Sequence, residues 1–397
     1  MRKIVIFAVL VGFASQLFSI VPFYYGARSL SLGYSGSAFN YDVNVIFLNP
    51  SILASLQYTL SGYQYQNSYL DYKDFAGTLS DVLEQDLSHF ESLDAAKKSA
   101  LFSKMQDLFS SKAGFYGFSS NVPGFVAPSY GISVSLVKTA IVNPVNPADS
   151  VTNGTNFFNR DPETVTNEEI ADLAMNFVGL DYKQISLSYS MAFSRSLYAG
   201  VTLHYLTGKV TEFNAGIVGD LFASGMDAKD YLETAWELAD EKFSKIVADF
   251  AVSMDIGKHF KLALITKNIG SPKISTSQRE ITLDRRVIAG LAFRPNISWG
   301  IYVDMDIAKT DLLHNGSEMQ PISIGIEKGF FNNRFFVRAG FLNDLTEKYF
   351  FGSKANALYG LGMGFNMKKF VVDVALGIDS SGTVKNLAIS GFILFNR

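Results

Sequence analysis

Ala248-Asp249-Phe250-Ala251-Val252-Ser253-Met254-Asp255-Ile256 alternates without a slip. Phe250, Val252, Met254 and Ile256 share one parity, and Asp249, Ala251, Ser253 and Asp255 share the other. Successive side chains of a strand point to opposite sides, so this stretch is a strand with one apolar face and one face that accepts charge. The pattern returns from Trp299, where Ile301, Val303, Met305 and Ile307 alternate with Gly300, Tyr302, Asp304 and Asp306. From Phe370 it returns again, with Val372, Val374, Leu376 and Ile378 set against Val371, Asp373, Ala375 and Gly377. Further runs cover Tyr130 to Leu136, Ile185 to Met191, Ala199 to Tyr205, Phe260 to Thr266, Val287 to Phe293, Ile322 to Glu327, Phe335 to Phe341, Tyr359 to Met367 and Leu387 to Phe395, with weaker ones at Leu56 to Gln66 and Gly114 to Phe118.

These runs predict about 14 strands of roughly the 9 to 11 residues that a tilted strand needs to cross a bilayer. Turn-like connections at Gly257 to His259, Pro295 to Asn296, Asn332 to Asn333 and Asp379 to Thr383 join consecutive runs as antiparallel hairpins. A soluble sandwich would turn its apolar faces onto a filled core. Here the second face is so rich in Gly, Ser, Ala and Asp that it reads as the wall of a wet lumen. The predicted fold class is therefore all-β, an antiparallel transmembrane β-barrel with lipid outside and water inside.

Composition narrows the functions open to such a chain. Of 397 residues, 34 are basic and 37 acidic, for a formal charge of -3, which leaves no polycationic surface for nucleic acid. Apolar residues make up 48% and charged residues 18%, too apolar for a disordered protein. The absence of cysteine removes disulfides, thiolate nucleophiles, Cys-based zinc sites and Cys-anchored lipids together. At the N-terminus Arg2 and Lys3 precede an apolar run from Ile4 to Ala14. It is too short for a helix that must cross about 30 Å, and reads as a signal peptide over residues 1–19, cut after Ser19, with Ala14 and Ser15 leaving an earlier cut open. No later window holds 18 uninterrupted apolar residues, so an exported chain of this kind is expected in the outer membrane of a bacterium.

Three segments break the alternation. Residues 70–112 carry Phe75, Leu79, Leu83, Leu87 and Phe90 at helical spacing. Residues 166–178 open with Thr166 and Glu169 in a capping-box spacing ahead of Ile170, Leu173 and Phe177. Residues 228–245 place Tyr231, Leu232, Ala235, Leu238 and Phe243 on an otherwise charged helix. All three are expected as helical loop insertions, and 140–161, with its Asn-Pro and Asn-Gly pairs, as a long exposed loop.

The segment ahead of the first strand reads Gly26-Ala27-Arg28-Ser29-Leu30-Ser31-Leu32-Gly33-Tyr34-Ser35-Gly36, then Asp42, then Leu48-Asn49-Pro50-Ser51-Ile52-Leu53-Ala54. Its small side chains permit close packing inside a crowded lumen. A buried Arg28 must find a carboxylate, because an unpaired buried charge costs several kcal/mol. The polar lumen face offers Asp249, Asp255, Asp304, Asp306 and Asp373 as candidates. Pro50 fixes its own φ and biases Asn49 away from helix, as in a turn leading to the first strand or at the surface.

This opening resembles that of the FadL-like outer-membrane barrels, which begin with a Gly-x-Arg segment, a small-residue stretch and an Asn-Pro-Ala element. That superfamily includes long-chain fatty-acid and aromatic-hydrocarbon transporters, PorV-like proteins associated with secretion, and TraF-like barrels. The resemblance implies a barrel of about fourteen strands over residues 56–397 and a hatch over residues 20–55 folded back into the lumen, with Gly26, Arg28, Gly33, Gly36, Asn49 and Pro50 as its hatch and gate residues. The chain departs from the pattern at Ser51, where the family has Ala, in its insertion over 70–112, and at its end, Phe395-Asn396-Arg397.

No catalytic constellation emerges. His89, His204, His259 and His314 lie outside metal-ligand spacing of one another, and His204 shares the polar parity of Thr202. Gly360, Gly362 and Gly364 fall within an alternating strand, where they relieve crowding or accommodate the hatch, not ahead of a helix where they would cradle a phosphate. The expected function is an outer-membrane channel for hydrophobic small molecules such as long-chain fatty acids or hydrocarbons, without cofactor, metal or catalysis, and in contact with outer-membrane lipid. The alternative is a non-transporting barrel that binds an envelope protein partner in secretion or conjugation.

Overall fold

The computed structural model describes residues 26–40, 42–72, 78, 81–82, 87–110, 114–145, 160–171, 173–216, 241–276, 280–311, 318–346, 357–367, 369–380 and 384–395. The proposed signal peptide and the C-terminal pair Asn396-Arg397 lie outside these residues. In chain order the strands are β1 (Thr59–Tyr72), β2 (Gly114–Ala127), β3 (Tyr130–Val145), β4 (Ala174–Ser194), β5 (Leu197–Gly216), β6 (Glu241–Ile256), β7 (Phe260–Ile269), β8 (Lys273–Ser275), β9 (Glu280–Thr282), β10 (Arg286–Asn296), β11 (Trp299–Asp306), β12 (Thr310–Asp311), β13 (Glu318–Met319), β14 (Pro321–Phe330), β15 (Phe335–Asp344), β16 (Leu358–Met367), β17 (Phe370–Asp379) and β18 (Val384–Phe395). Among the described residues fourteen of them close into an antiparallel barrel, with β1 sealing against β18 and Tyr63 opposite Gly391. Each of the fourteen alternating runs overlaps one barrel strand. The short pairs β8–β9 and β12–β13 sit in connections and had no counterpart in the sequence reading.

The parity resolves as lipid outside. Ile324, Ile326, Tyr359, Leu361, Met363 and Ile389 all stand exposed on the outer surface, whereas their inward neighbours Ser323, Glu327, Asp373 and Ser390 are buried. A water-soluble sheet would not leave so many large apolar side chains uncovered. Arginine at Leu361, near the middle of β16, should therefore lower the stability of the refolded barrel in vesicles by about 2–4 kcal/mol, read from denaturant unfolding. A cost within about 0.5 kcal/mol, typical of a surface change, would refute the lipid-facing assignment.

The two ends differ. At the end where β1 starts and β18 finishes, hairpins are tight: Arg195-Ser196, Gly257-Lys258-His259, Ile297-Ser298 and Phe331 to Arg334. Aromatic rings gird this end on the outer face, with Phe260 stacked on Phe293 at 4.6 Å and Phe335 beside Phe365 at 5.0 Å, as expected where a barrel meets a headgroup layer. The opposite end carries the long connections. There the helix Ala95–Ser110 and the shorter helix Asn167–Ala171 belong to different loops. These loops dock through reciprocal bonds, Glu91 N–H to Asn167 Oδ1 at 2.9 Å and Asn167 N–H to Glu91 Oε1 at 2.8 Å. Burial opposes ionisation of Glu169, but hydrogen bonds from Arg160 and the Thr166 N–H outweigh it and hold the carboxyl below its ordinary range.

Two insertions are shorter than their spacing predicted. The helix expected over 166–178 ends at Ala171, and β4 begins at Ala174 because Met175 and Phe177 pair into the ladder between β3 and β5. Of the helix expected over 228–245, residues 228–240 lie outside the described set, and the remainder is the start of β6. At the first insertion, 70–72 still belong to β1.

Candidate functional site

The lumen is occupied by the chain's own N-terminal segment. A helix over Gly26–Ser31, a turn, a second helix over Val45–Leu48 and a 3-10 helix over Pro50–Ser55 are buried through Leu53 almost without interruption. Small residues let this backbone lie directly on the wall. Cβ atoms added at Gly340 and Gly360 would overlap the Leu30 to Gly33 main chain. Gly33 itself adopts φ +65° with the Phe341 backbone against it, a position where any side chain would be both strained and blocked. The face expected to meet water thus meets peptide across the middle of the barrel.

Three sets of polar contacts fix the segment. The first is ionic: Arg28 Nε and Nη2 donate to the two oxygens of Glu327, both at 3.2 Å, and Nη2 also reaches the Tyr302 hydroxyl at 3.1 Å. Glu327 is shared with Arg338 Nε at 2.6 Å, and Arg338 Nη1 donates to Asp373 at 2.5 Å. Arg28, Glu327, Arg338 and Asp373 are each at most 2% exposed, so the low-dielectric surroundings make these partners mutually obligatory. The second set centres on Asn49, whose Nδ2 donates to the Ser37 carbonyl at 2.8 Å and to Ser253 Oγ at 2.9 Å, while its Oδ1 caps the 3-10 helix through the Ser51 N–H. Ser51 Oγ bonds both Asn49 and Ser253, which gives the departure from Ala at this position a physical role. The third set holds the end of the second helix: Thr202 Oγ1 donates to the Ile46 carbonyl at 2.9 Å, and Lys267 Nζ to the Phe47 carbonyl.

Asp249 braces Lys267 at 3.0 Å and His204 Nε2 at 3.1 Å, and His204 Nδ1 lies 2.8 Å from both Ser186 Oγ and Gln184 Nε2. The Ser-His-Asp sequence is that of a nucleophile relay. Here, however, Nδ1 is contested by Gln184 and Ser186 is fully buried, so the chain acts as a post under the Phe47 ring, which stacks on His204. Asp304 accepts from the Ser37 N–H at 2.8 Å, Asp306 pairs with Arg286, and Asp255 pairs with Lys261 at 3.4 Å and accepts from the Tyr198 hydroxyl.

Below the segment, toward the tight turns, are two cavities. One of about 520 Å³ has an apolar wall of Ile52, Leu56, Leu60, Phe336, Phe392 and Leu394, and its lining also includes the charged residues Asp42, Lys261, Arg294, Arg338 and Asp373. The other, about 620 Å³, is edged by Arg195, Lys258, Lys261 and Arg294. They share Phe39, whose ring lies 4.3 Å from the Arg294 guanidinium.

No protein-family model and no curated protein matches the sequence. Solved structures do resemble it: the monoaromatic hydrocarbon channel CymD at TM-score 0.51 and 12% identity, covering 94% of this chain and 98% of that one. A Pseudomonas aeruginosa FadL homologue aligns at TM-score 0.51 and 11% identity over 95% and 98% of the two chains. The Pseudomonas putida toluene transporter TodX aligns at 0.50 and 11% over 94% and 99%. The chain has the FadL-like fold.

Within this FadL-like barrel the residues singled out in the sequence are only partly brought together. Arg28 is buried, but its partner is Glu327, not one of the five aspartates, of which Asp373 alone joins the network, through Arg338. Asp304 touches the segment through its main chain, whereas Asp249 acts through Lys267, and Asp255 and Asp306 pair within the wall. Glu327, Arg338, Tyr302 and Ser253 were missed as site residues. Tyr302 and Ser253 share the polar parity of strands already read, and Glu327 closes the run from Ile322, so parity was the available signal.

Proposed function

We propose that this chain is a bacterial outer-membrane channel for hydrophobic small molecules such as long-chain fatty acids or hydrocarbons, in which residues 20–55 act as a movable hatch. Gly26, Arg28, Gly33, Gly36, Asn49 and Pro50 would be its seating residues. The observation that carries this reading is the apolar wall of the cavity beneath the segment, against which a solute can leave water at about 0.8 kcal/mol per buried methylene. The likeness to CymD, a monoaromatic hydrocarbon channel, and to TodX, a toluene transporter, supports the same direction.

Cells expressing the protein should accumulate labelled long-chain fatty acid or alkylaromatic several-fold faster than cells without it. Val371→Trp, which intrudes into this cavity, should reduce that rate at equal surface expression. Equal uptake with and without the protein would reject transport of those solutes. The docked loop helices at the other end favour a second reading, in which an envelope protein binds that cap. Cross-linking that recovers a stoichiometric partner dependent on 87–110, with no uptake phenotype, would replace transport by that role.

A further inference from the structure

Exposed cations stand toward both ends of the barrel. Toward the long-loop end some exposed lysines are paired with carboxylates, Lys97 with Asp94, Lys104 with Asp81, Lys273 with Glu280 and Lys309 with Glu318, whereas Lys183, Lys209 and Lys242 on β4, β5 and β6 make no ion pair among the described residues. At the tight-turn rim the basic residues Arg195, Lys258, Lys328, Arg334 and Lys369 make no ion pair among the described residues, and the one carboxylate near them, Asp255, is taken by Lys261. A chain with net charge -3 thus carries an uncompensated basic collar at one end.

Three members of that collar occupy one sector. Lys328 lies on the outer face of β14, with its ammonium 4.4 Å from the centroid of the Trp299 ring opposite and 5.9 Å from that of Phe330. Arg334 follows in the next turn, where its N–H bonds the Phe330 carbonyl and its own carbonyl accepts from Asn366. Lys369 occupies the turn after that, with its carbonyl accepting from Leu394. Exposed rings of Trp299, Phe330, Phe365 and Phe370 set the depth of this sector at a headgroup layer.

We propose that the sector formed by Lys328, Arg334 and Lys369 is a binding site for anionic phospholipid headgroups of the leaflet facing the tight turns. Charge complementarity selects the occupant: cations with no carboxylate partner among the described residues stand at the depth of the headgroups, and the Trp299 and Phe330 rings hold the Lys328 ammonium there. The site is independent of what passes through the lumen, so it stands or falls separately from the transport reading.

The test uses the full chain refolded in phosphatidylcholine vesicles containing a minor fraction of phosphatidylglycerol, with spin-labelled lipid of each kind reporting the motionally restricted shell. The expected result is a preference for phosphatidylglycerol of about fivefold, the weight of one surface cation, collapsing in about 1 M salt where screening acts within about 3 Å. The triple variant Lys328→Gln, Arg334→Gln, Lys369→Gln should lose it, whereas Lys97→Gln with Lys104→Gln should keep it, both with the heat-shifted mobility of a folded barrel. Equal restriction of both lipids in the wild type, or a preference that survives the triple variant, overturns the proposal. So does a preference that added inorganic phosphate abolishes, which would mark a simple anion site.

Discussion

Replacing Gly340 and Gly360 together by alanine should expel the luminal segment while leaving the barrel intact or slightly firmer. Each new Cβ would overlap main-chain atoms of Leu30 to Gly33, which cannot yield by rotamer change. Within the ladder the same methyl groups are welcome. The two glycines face each other across β15 and β16, where glycine is destabilising by about 0.5–1 kcal/mol relative to alanine. Barrel stability and segment seating should therefore move in opposite directions, which a general folding defect would not produce. Because the chain contains no cysteine, Ser37→Cys gives a clean reporter at a site that is buried now. Maleimide should leave this thiol largely unmodified in the parent and modify it fully in the double alanine variant, with a matching rise in single-channel conductance. A thiol that stays protected in the double variant would mean that the wall glycines do not seat the segment.

The barrel was legible because two solvents act on one strand. Wherever lipid lies outside and a polar surface inside, alternation is enforced, and Phe370 to Ile378 reproduces β17 within a residue. Legibility ends where that contrast ends. β4 is 21 residues long and β5 20, yet only Ile185 to Met191 and Ala199 to Tyr205 alternate cleanly, because past the membrane the strands continue as ribbon without hydrocarbon on one side. Phe177 illustrates the ambiguity: its spacing from Ile170 and Leu173 suits a helix, but pairing with Phe213 across the ladder decides otherwise.

The site was less legible for a different reason. Small residues announced that something backbone-thin lies against the wall, and the need of Arg28 for a carboxylate followed from electrostatics alone. Which carboxylate it meets depends on closure of the barrel, since Glu327 is 299 positions away in sequence. The aspartates were conspicuous because they interrupt apolar runs. Glu327 sits at the end of its run, and Arg338 lies between Val337 and Ala339 on the opposite parity, where a cation shows only that the face is polar.

Arg28→Leu should release the segment more completely than any loss of apolar contact. The variant keeps much of the side-chain volume but leaves Glu327 and Asp373 to share the single cation of Arg338. Removing one partner from a buried ionic network typically costs about 3–5 kcal/mol, and each 1.4 kcal/mol is tenfold in an equilibrium. The open population should thus rise by about two to three and a half orders of magnitude, visible as frequent openings in planar bilayers and as labelling of the same Ser37→Cys reporter. Glu327→Gln alone should act in the same direction, because it strands Arg28 and weakens the hold on Arg338. Combining the two neutral substitutions should cost much less than their sum, since the second removes the charge that the first left unpaired. High salt should not mimic either variant, because the network is shielded from mobile ions. Strict additivity of the two changes, or full opening of the parent in salt, would show that the ion pair does not hold the segment and that its apolar and main-chain contacts do.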